Sequence, residues 1–362
     1  MNGRKLVIFL PDLAGGGAER VMLNLSRLLA SAGCSITLAI GRKTGALVDL
    51  LPHGIEIIEL SPTSKGPLSL GISCIRHLRT LLKYYRPDAV LSTLVGGNLA
   101  AYAASRYSKA RLIMREANVY SDMASRPRSH VARLIYRRAD SMVAVSQPVA
   151  EDLARYCKVN PDRLHIIPNP IDTHALITAG NEELPKETCD DRGPLIVSAG
   201  RLVPVKGFDK LILAVSRLQR EYEVKLVILG NGPLYDDLLR LAYRTLGQEN
   251  ICMPGWTKNP YRWYRHASVV VSTSRWEGCP NVLIEAAALG RKLVAYRRRD
   301  TEWLASLGLN VDLAENGSTE DLANALEKTL NEPTRLTAHL PAIFSPDEVT
   351  RRYMEVLWNA LD

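Results

Sequence analysis

Residues 4–29 read RKLVIFLPDLAGGGAERVMLNLSRLL. The apolar run at 4–10 has the length of one buried strand, a glycine loop follows, and from Val21 to Leu29 apolar residues recur at helical spacing. Strand, loop and helix in that order predict a first βα unit, and the rest of the chain repeats it. Strands are expected near 35–40, 55–59, 88–92, 111–114 and 140–145, with helices near 69–85, 97–106, 128–138 and 147–156. Residues 168–194, rich in Pro, Asp, Glu and Thr, read as an interdomain linker. The pattern then restarts with LIVSA (195–199), KLVILG (225–230), NICM (250–253) and SVVVST (268–273), separated by helices near 207–221, 233–246 and 280–289. Such alternation predicts an α/β chain of two doubly wound parallel sheets facing a central cleft, with ligands outside the carboxyl ends of the strands. A last amphipathic helix near 346–361, released by Pro341 and Pro346, is expected to leave the second domain and pack elsewhere. The expected division is therefore 1–175, a linker at 176–193, a second domain at 194–345 and the final helix at 346–362.

A length of 362 residues suits two domains of roughly 100–200 residues. Hydrophobic residues at 46% and charged residues at 23% exclude disorder and low-complexity scaffolds. No stretch reaches the ~18 apolar residues that a spanning helix needs, and MNGRKLVIFLPDLAGGG reads as strand and loop without a cleavage site. Cys34, Cys74, Cys157, Cys189, Cys252 and Cys279 stand singly with no C-x-x-C pair. They predict free thiols in a reducing cytosol rather than a disulfide frame or a zinc site. Lys and Arg outnumber Asp and Glu 23 to 15 over residues 1–185 and balance at 23 each over 186–362, so the whole excess of +8 lies in the first half. A basic half points to an anionic partner: a membrane surface, a phosphorylated lipid or nucleic acid.

Three loops carry candidate chemistry. Ala14-Gly15-Gly16-Gly17-Ala18-Glu19-Arg20 opens a helix, where bare N–H groups favour an anion. A dinucleotide fingerprint needs glycine where Arg20 stands and an acid after the second strand, which instead ends Ile40-Gly41-Arg42-Lys43, so NAD is rejected. The loop is either an anion site or a tight turn without a ligand. Gly200-Arg201-Leu202-Val203-Pro204-Val205-Lys206-Gly207 sets two cations five residues apart at a strand's carboxyl end, which suits a diphosphate or else is a solvated surface pair. The Gly230-Asn231-Gly232-Pro233 turn ends the next strand and says little alone. Glu277-Gly278-Cys279-Pro280-Asn281-Val282-Leu283-Ile284-Glu285 places one carboxylate before a helix and a second inside it, with Pro280 as first helical residue. Two carboxylates and free N–H groups fit a sugar nucleotide, hydroxyls donating to the former and phosphate accepting from the latter. The alternative is that Glu277 only complements the helix dipole and Glu285 is a surface residue.

EGCPNVLIEAAALG with its E-x7-E pair, the Gly-Arg…Lys-Gly loop 200–207, Gly-Gly-Ala-Glu-Arg at 16–20, VAVSQPVAEDL at 143–153 and IPNPID at 167–172 occur in one order along nearly the whole chain. Together they resemble the retaining glycosyltransferases of family 4. The resemblance implies the GT-B fold, two Rossmann-like domains with the donor nucleotide in the second and the final helix crossing back onto the first. It implies that Arg201 and Lys206 neutralise the donor diphosphate, that Glu277 binds hydroxyls of the transferred sugar, and that Glu285 holds the ribose. The base is then expected near Pro254-Gly255-Trp256, with Asn231 and the 278–282 loop (Gly278, Cys279, Pro280, Asn281, Val282) lining the donor, and Gly16 and Gly17 approaching its phosphate. In this family the leaving phosphate is thought to help deprotonate the acceptor, which leaves the protein to stabilise the departing diphosphate.

The sequence departs from that pattern in two places. Where many relatives carry a histidine in the first domain, it reads Arg115-Glu116-Ala117-Asn118, so Arg115, Glu116 and Asn118 become the acceptor-side candidates. Where relatives have a glycine-rich loop touching the donor it has Tyr296-Arg297-Arg298-Arg299-Asp300-Thr301-Glu302, whose three arginines either meet phosphate or form a solvated run, the second being favoured. The Asn-Gly turn that follows in relatives is replaced by Leu309-Asn310-Val311.

No metal and no cofactor are expected, since the carboxylates form no D-x-D-like set and Arg201 and Lys206 supply the charge. Nucleic acid fits poorly, with aromatic residues at 6% and no stacking module. Segment 68–86, with Leu70, Ile75, Leu78, Leu81 and Leu82 on one side and Arg76, Arg79, Lys83 and Arg86 nearby, either lies on an anionic leaflet or covers the sheet as an ordinary helix. A second basic stretch holds Arg126, Arg128, Arg133, Arg137 and Arg138. The expected protein is cytoplasmic and peripheral at the inner face of the membrane. It transfers a hexose or N-acetylhexosamine from a UDP-sugar, or GDP-mannose, to a glycan or lipid-linked glycan in cell-surface polysaccharide synthesis. The rivals are a sugar-nucleotide 2-epimerase, which shares the two-domain plan, and a degenerate subunit that binds without turnover.

Overall fold

A computed structural model describes residues 3–13, 16–62, 66–121, 127–185, 193–219, 222–315, 317–333 and 340–358. The chain divides into two compact units, Met1–Pro170 with Pro346–Asp362, and Ile171–Ser345.

In the first unit the strands are β1 (Lys5–Leu10), β2 (Ser35–Ile40), β3 (Glu56–Glu59), β4 (Ala89–Thr93), β5 (Arg111–Glu116), β6 (Ser141–Ala144) and β7 (Leu164–Ile166). Between them run α1 (Gly17–Ser31), α2 (Pro67–Tyr85), α3 (Val95–Ser105), α4 (Pro127–Ile135) and α5 (Gln147–Arg155). All pairings are parallel, in the order β3-β2-β1-β4-β5-β6-β7. A central parallel strand is covered on both faces, which is why Leu6 to Leu10 are apolar without alternation and fully buried.

The second unit holds α6 (Thr173–Gly180), β8 (Leu195–Ala199), α7 (Phe208–Leu218), β9 (Lys225–Leu229), α8 (Tyr235–Leu246), β10 (Ile251–Gly255), α9 (Tyr261–His266), β11 (Val269–Ser272), α10 (Asn281–Ala288), β12 (Lys292–Tyr296), α11 (Arg299–Ser306), β13 (Val311–Ala314) and α12 (Thr319–Asn331). Its order is β10-β9-β8-β11-β12-β13, again parallel throughout. Each sheet therefore reverses its winding once, between β1 and β4 and between β8 and β11. Loops leaving the carboxyl ends at such a switch point diverge and open a crevice.

One boundary differs from the sequence reading, that between the first unit and the second. Residues 173–180 are not linker: the Asp172 side chain accepts from Ala175 N at 2.9 Å, and the capped helix α6 buries Leu176 in the second unit's core beside Trp263 of α9. The second unit thus starts before the expected linker, of which residues 186–192 lie outside the described residues. The closing helix α13 (Pro346–Trp358) belongs to the first unit, burying Val349, Tyr353, Leu357 and Trp358 in one core with Leu25 and Leu29 of α1; residues 359–362 are not among those described.

Helix α2 packs one side against its own unit. Leu70, Leu78 and Leu82 are buried within the unit, so its apolar side is spent on packing, as an ordinary sheet-covering helix requires. Its outer side carries Arg76, Arg79 and Lys83, with Ile72 61% and Tyr84 77% exposed.

Candidate functional site at the second switch point

The loop after β8 and the loop after β11 leave the sheet side by side and are stitched together. The Thr273 hydroxyl donates to the Lys206 carbonyl at 2.9 Å, and Arg275 N donates to the Val205 carbonyl at 2.7 Å. Gly207 makes this approach possible: its φ of +64° suits glycine, and a Cβ there would lie 2.3 Å from the Thr273 carbonyl oxygen. The result is a direct ion pair, Lys206 Nζ to Glu277 Oε1 at 2.7 Å, with the side chains 22% and 17% exposed. Arg201 stands exposed on the same loop.

A second set of ties brings in the next two strands. Leu202 N donates to the Asn231 carbonyl at 2.9 Å, and a Cβ on Gly232 would fall 2.4 Å from the Leu202 carbonyl oxygen. The Asn231 side chain accepts from Trp256 N at 3.0 Å, beside Gly255 at φ +85°. Asn231 therefore couples the turn after β9 to the end of β10, where Trp256 is 38% exposed. The sequence offered Asn231 as a weak signal, and the structure gives it a defined mechanical task.

Glu277 precedes α10, and Pro280 is the residue before the helix rather than its first, accepting from Leu283 N at 3.0 Å. Gly278 and Pro280 are buried, while Cys279, Asn281, Val282 and Glu285 are half-buried, Glu285 being the fifth residue of α10. Burial alone would push the Glu277 carboxyl up, but the Lys206 and then the Arg298 charge, with hydrogen bonds from Lys206 and the Ser274 hydroxyl, hold it below the usual carboxylate value. The carboxylate is thus kept ionised, as an acceptor of hydrogen bonds.

Arg298 was missed. The run 297–299 reads as solvated, and for Arg297 and Arg299 it is, but the Arg298 side chain is only 6% exposed. It binds Asp300 through Nε at 3.0 Å and Nη2 at 2.7 Å, and its Nη1 donates to the Ser274 carbonyl. The available signal was the acid two residues on, since a buried arginine needs a carboxylate to receive its fork.

Gly16 and Gly17 lie in the first unit at the N-terminus of α1, close to the Glu19 carboxylate of its first turn: a Cβ on Gly16 would lie 2.2 Å from it. Ala14 and Gly15 are outside the described residues. Arg115 and Glu116 need correction as acceptor-side candidates, since they are 1% and 0% exposed. Glu116 Oε1 accepts from Ala117 N, Asn118 N and Asn118 Nδ2 at 2.8, 3.0 and 2.6 Å, and Oε2 from the hydroxyls of Tyr120 at 2.6 Å and of Tyr136. Burial and this carboxylate raise both tyrosines above their usual value, so they remain donors. Arg115 donates to Thr93 at 3.1 Å and to Asn169. As the last residues of a strand between β4 and β6, the two shape the loop from inside, and Asn118 alone of the three is half-buried.

Among the described residues no group of three or more His, Cys, Asp or Glu side chains is placed to hold a metal ion, Cys34, Cys74, Cys157, Cys252 and Cys279 form no disulfide, and no helix is long and apolar enough to cross a membrane.

Two doubly wound units, one with cations and carboxylates gathered at its switch point, define a class that comparison with known proteins identifies. Residues 15–175 match the family model described as Glycosyltransferase Family 4, and residues 181–341 that of Glycosyl transferases group 1. The chain is 30% identical over 296 residues, 79% of its length and 78% of the relative's, to the N-acetylgalactosamine-N,N'-diacetylbacillosaminyl-diphospho-undecaprenol 4-alpha-N-acetylgalactosaminyltransferase of Campylobacter jejuni. Over 360 residues (94% and 96% of the two chains) it is 27% identical to a lipopolysaccharide core biosynthesis glycosyltransferase of Rhizobium meliloti. Its fold superposes on Anabaena HepE, solved in complex with UDP and glucose, with a TM-score of 0.80 at 17% identity, covering 98% of this chain and 99% of that one. The chain belongs to the glycosyltransferases of the group 1 and family 4 type, with the GT-B pair of Rossmann-like units.

Proposed function

We propose that the protein transfers a hexose or N-acetylhexosamine from a nucleoside diphosphate sugar, a UDP-sugar before GDP-mannose, to a lipid-linked glycan with retention of configuration and without a metal. One observation carries the reading: a half-buried Lys206–Glu277 pair held at the switch point of the second sheet, with Arg201 on the same loop. A diphosphate entering there meets fixed cations that neutralise charge as the glycosidic oxygen departs, the largest kind of rate contribution such a site makes. Lys206 then turns from the carboxylate toward phosphate, and Glu277, held anionic, accepts from hydroxyls of the sugar. Glu285 is assigned to the ribose hydroxyls and the Gly255–Trp256 backbone to the edge of the base. Asn118 is the residue of the first unit assigned to the acceptor.

The experiment for this reading is a thermal-shift panel of UDP, GDP, ADP and their sugars. Ligand at a hundred times its Kd adds about 2.7 kcal/mol to the folded state, so one nucleotide series is expected to raise Tm by several degrees. No shift with any of them defeats the reading.

The same reading assigns an anionic membrane surface to the first unit. Support comes from α2, α3 and α4, which lie side by side; α2 and α4 expose Ile72, Tyr84, Leu134, Arg76, Arg79, Lys83 and Arg133, and the residues just after α3 and α4 add Tyr107, Arg137 and Arg138. Arg79 stacks on Tyr107 at 4.2 Å, an amphipathic pairing suited to a headgroup layer. Arg126 lies outside the described residues, as does the side chain of Arg128. Binding to anionic vesicles is expected to fall with salt, as the Debye length shortens to about 8 Å at physiological ionic strength. Gln at Arg79, Lys83, Arg133, Arg137 and Arg138 should abolish it, whereas Gln at Arg217, Arg240, Arg244, Arg297 and Arg299, five exposed arginines of the second unit, should not. Equal losses from the two sets would reduce the effect to net charge.

A further inference from the structure

We propose that Arg298 is a positioning residue for Glu277, holding the loop that carries this carboxylate and setting a second cation beside it. The inference rests on the reading of Glu277 as the group that takes the sugar's hydroxyls.

The start of α11 does not need the guanidinium. The Thr301 hydroxyl accepts from Arg298 N at 2.9 Å and donates to the Tyr296 carbonyl at 2.8 Å, so backbone and threonine already close the first turn. A buried ion pair is also weak evidence for stability, because desolvating both charges offsets their attraction. What the fork does accomplish is directional. Asp300, 4% exposed, grips two of its nitrogens and fixes the plane of the guanidinium. The remaining arm then reaches the carbonyl of Ser274, and the hydroxyl of that same serine donates to Glu277 Oε1. Glu277 is therefore held from two elements: by Lys206 from the loop after β8, and through Ser274 by the N-terminus of α11. The charged groups around it are Lys206, Arg298 and Asp300, while Arg275, on its own loop, is turned to Asp209 at 3.8 Å. Two cations against one buried carboxylate keep Glu277 ionised, and Arg298 contributes the part that a bound diphosphate would not compete for.

The test breaks the Arg298–Asp300 pair from either end. Arg298→Gln removes a positive charge beside Glu277, whereas Asp300→Asn removes a negative one and keeps the guanidinium charge. If the pair only supports the fold, the two variants behave alike. If Arg298 positions Glu277, the acid limb of kcat/KM for the donor, followed from about pH 3 to 7, moves up by about one pH unit in Arg298→Gln, approaching a tenfold loss at the acid end. In Asp300→Asn it stays or moves down. The Kd for UDP is expected to stay within about threefold in both, because the reading assigns the nucleotide elsewhere. Ser274→Ala, which leaves the ion pair intact, gives a smaller upward shift and serves if Arg298→Gln does not fold. Parallel shifts in the first two variants, or a wild-type limb in Ser274→Ala, overturn the proposal. Glu277→Gln separates the two levels: wild-type kinetics there would remove the reading of Glu277 itself, whereas an inactive Glu277→Gln beside an unshifted Arg298→Gln removes only the role of Arg298.

Discussion

Lys206→Ala is expected to lower kcat by roughly 10²–10³-fold, the range seen when one preorganised donor to developing charge is removed, with the chain still folded. Lys206 is 22% exposed and lies 2.7 Å from Glu277, so truncation removes the cation assigned to the leaving diphosphate and strips Glu277 of its nearest counter-charge. Both effects act on one step, so the loss should appear in kcat and kcat/KM together. Circular dichroism and the urea midpoint guard against unfolding, since the neighbouring loop is held by backbone bonds that the variant keeps, such as Arg275 N to the Val205 carbonyl. Arg201→Ala should follow in the same direction. Turnover near wild type in both variants would remove the diphosphate from this loop.

The second large effect separates the two carboxylates. Glu277→Ala is expected to lose sugar transfer by about 10²-fold or more while keeping its affinity for free nucleoside diphosphate. Glu285→Ala should weaken that affinity by about tenfold, the measure of one hydrogen bond to a charged group. The reasoning is positional: Glu277 sits on the loop ahead of α10 and Glu285 one turn inside it. Calorimetric titration of UDP into both variants decides between them. If affinity is lost in Glu277→Ala and kept in Glu285→Ala, the orientation of the ligand along α10 is the reverse of that proposed.

Much of the fold was legible because parallel sheets write themselves as short continuous apolar runs such as LVIFL and VVVS, and because Pro341 and Pro346 mark where the last helix departs. The edge between units was harder to see. Asp172 and Leu176 make a capped, buried helix out of a stretch whose Pro and Thr content reads as linker, and burial of one leucine is not visible in composition. At the candidate site the motif residues Lys206 and Glu277 do meet. Charge runs were the least legible feature. Arg297, Arg298 and Arg299 are identical in sequence terms, yet only Arg298 turns inward, because Asp300 and the Ser274 carbonyl receive its fork. Arg115-Glu116 misled in the opposite direction: they stand where relatives carry a histidine, which suggested a ligand, and the tyrosines that enclose Glu116 come from later in the chain, at 120 and 136.

The most direct measurement is nucleoside diphosphate release from UDP-sugars and GDP-mannose, with the sugar products analysed, in the presence and absence of polyprenyl-diphosphate-linked acceptors. The account predicts release that requires the acceptor, an acceptor mass raised by one hexose or N-acetylhexosamine, and an α-linkage from an α-linked donor. Donor converted to another sugar without any acceptor, or donor that raises Tm and is never consumed with any acceptor offered, would contradict it.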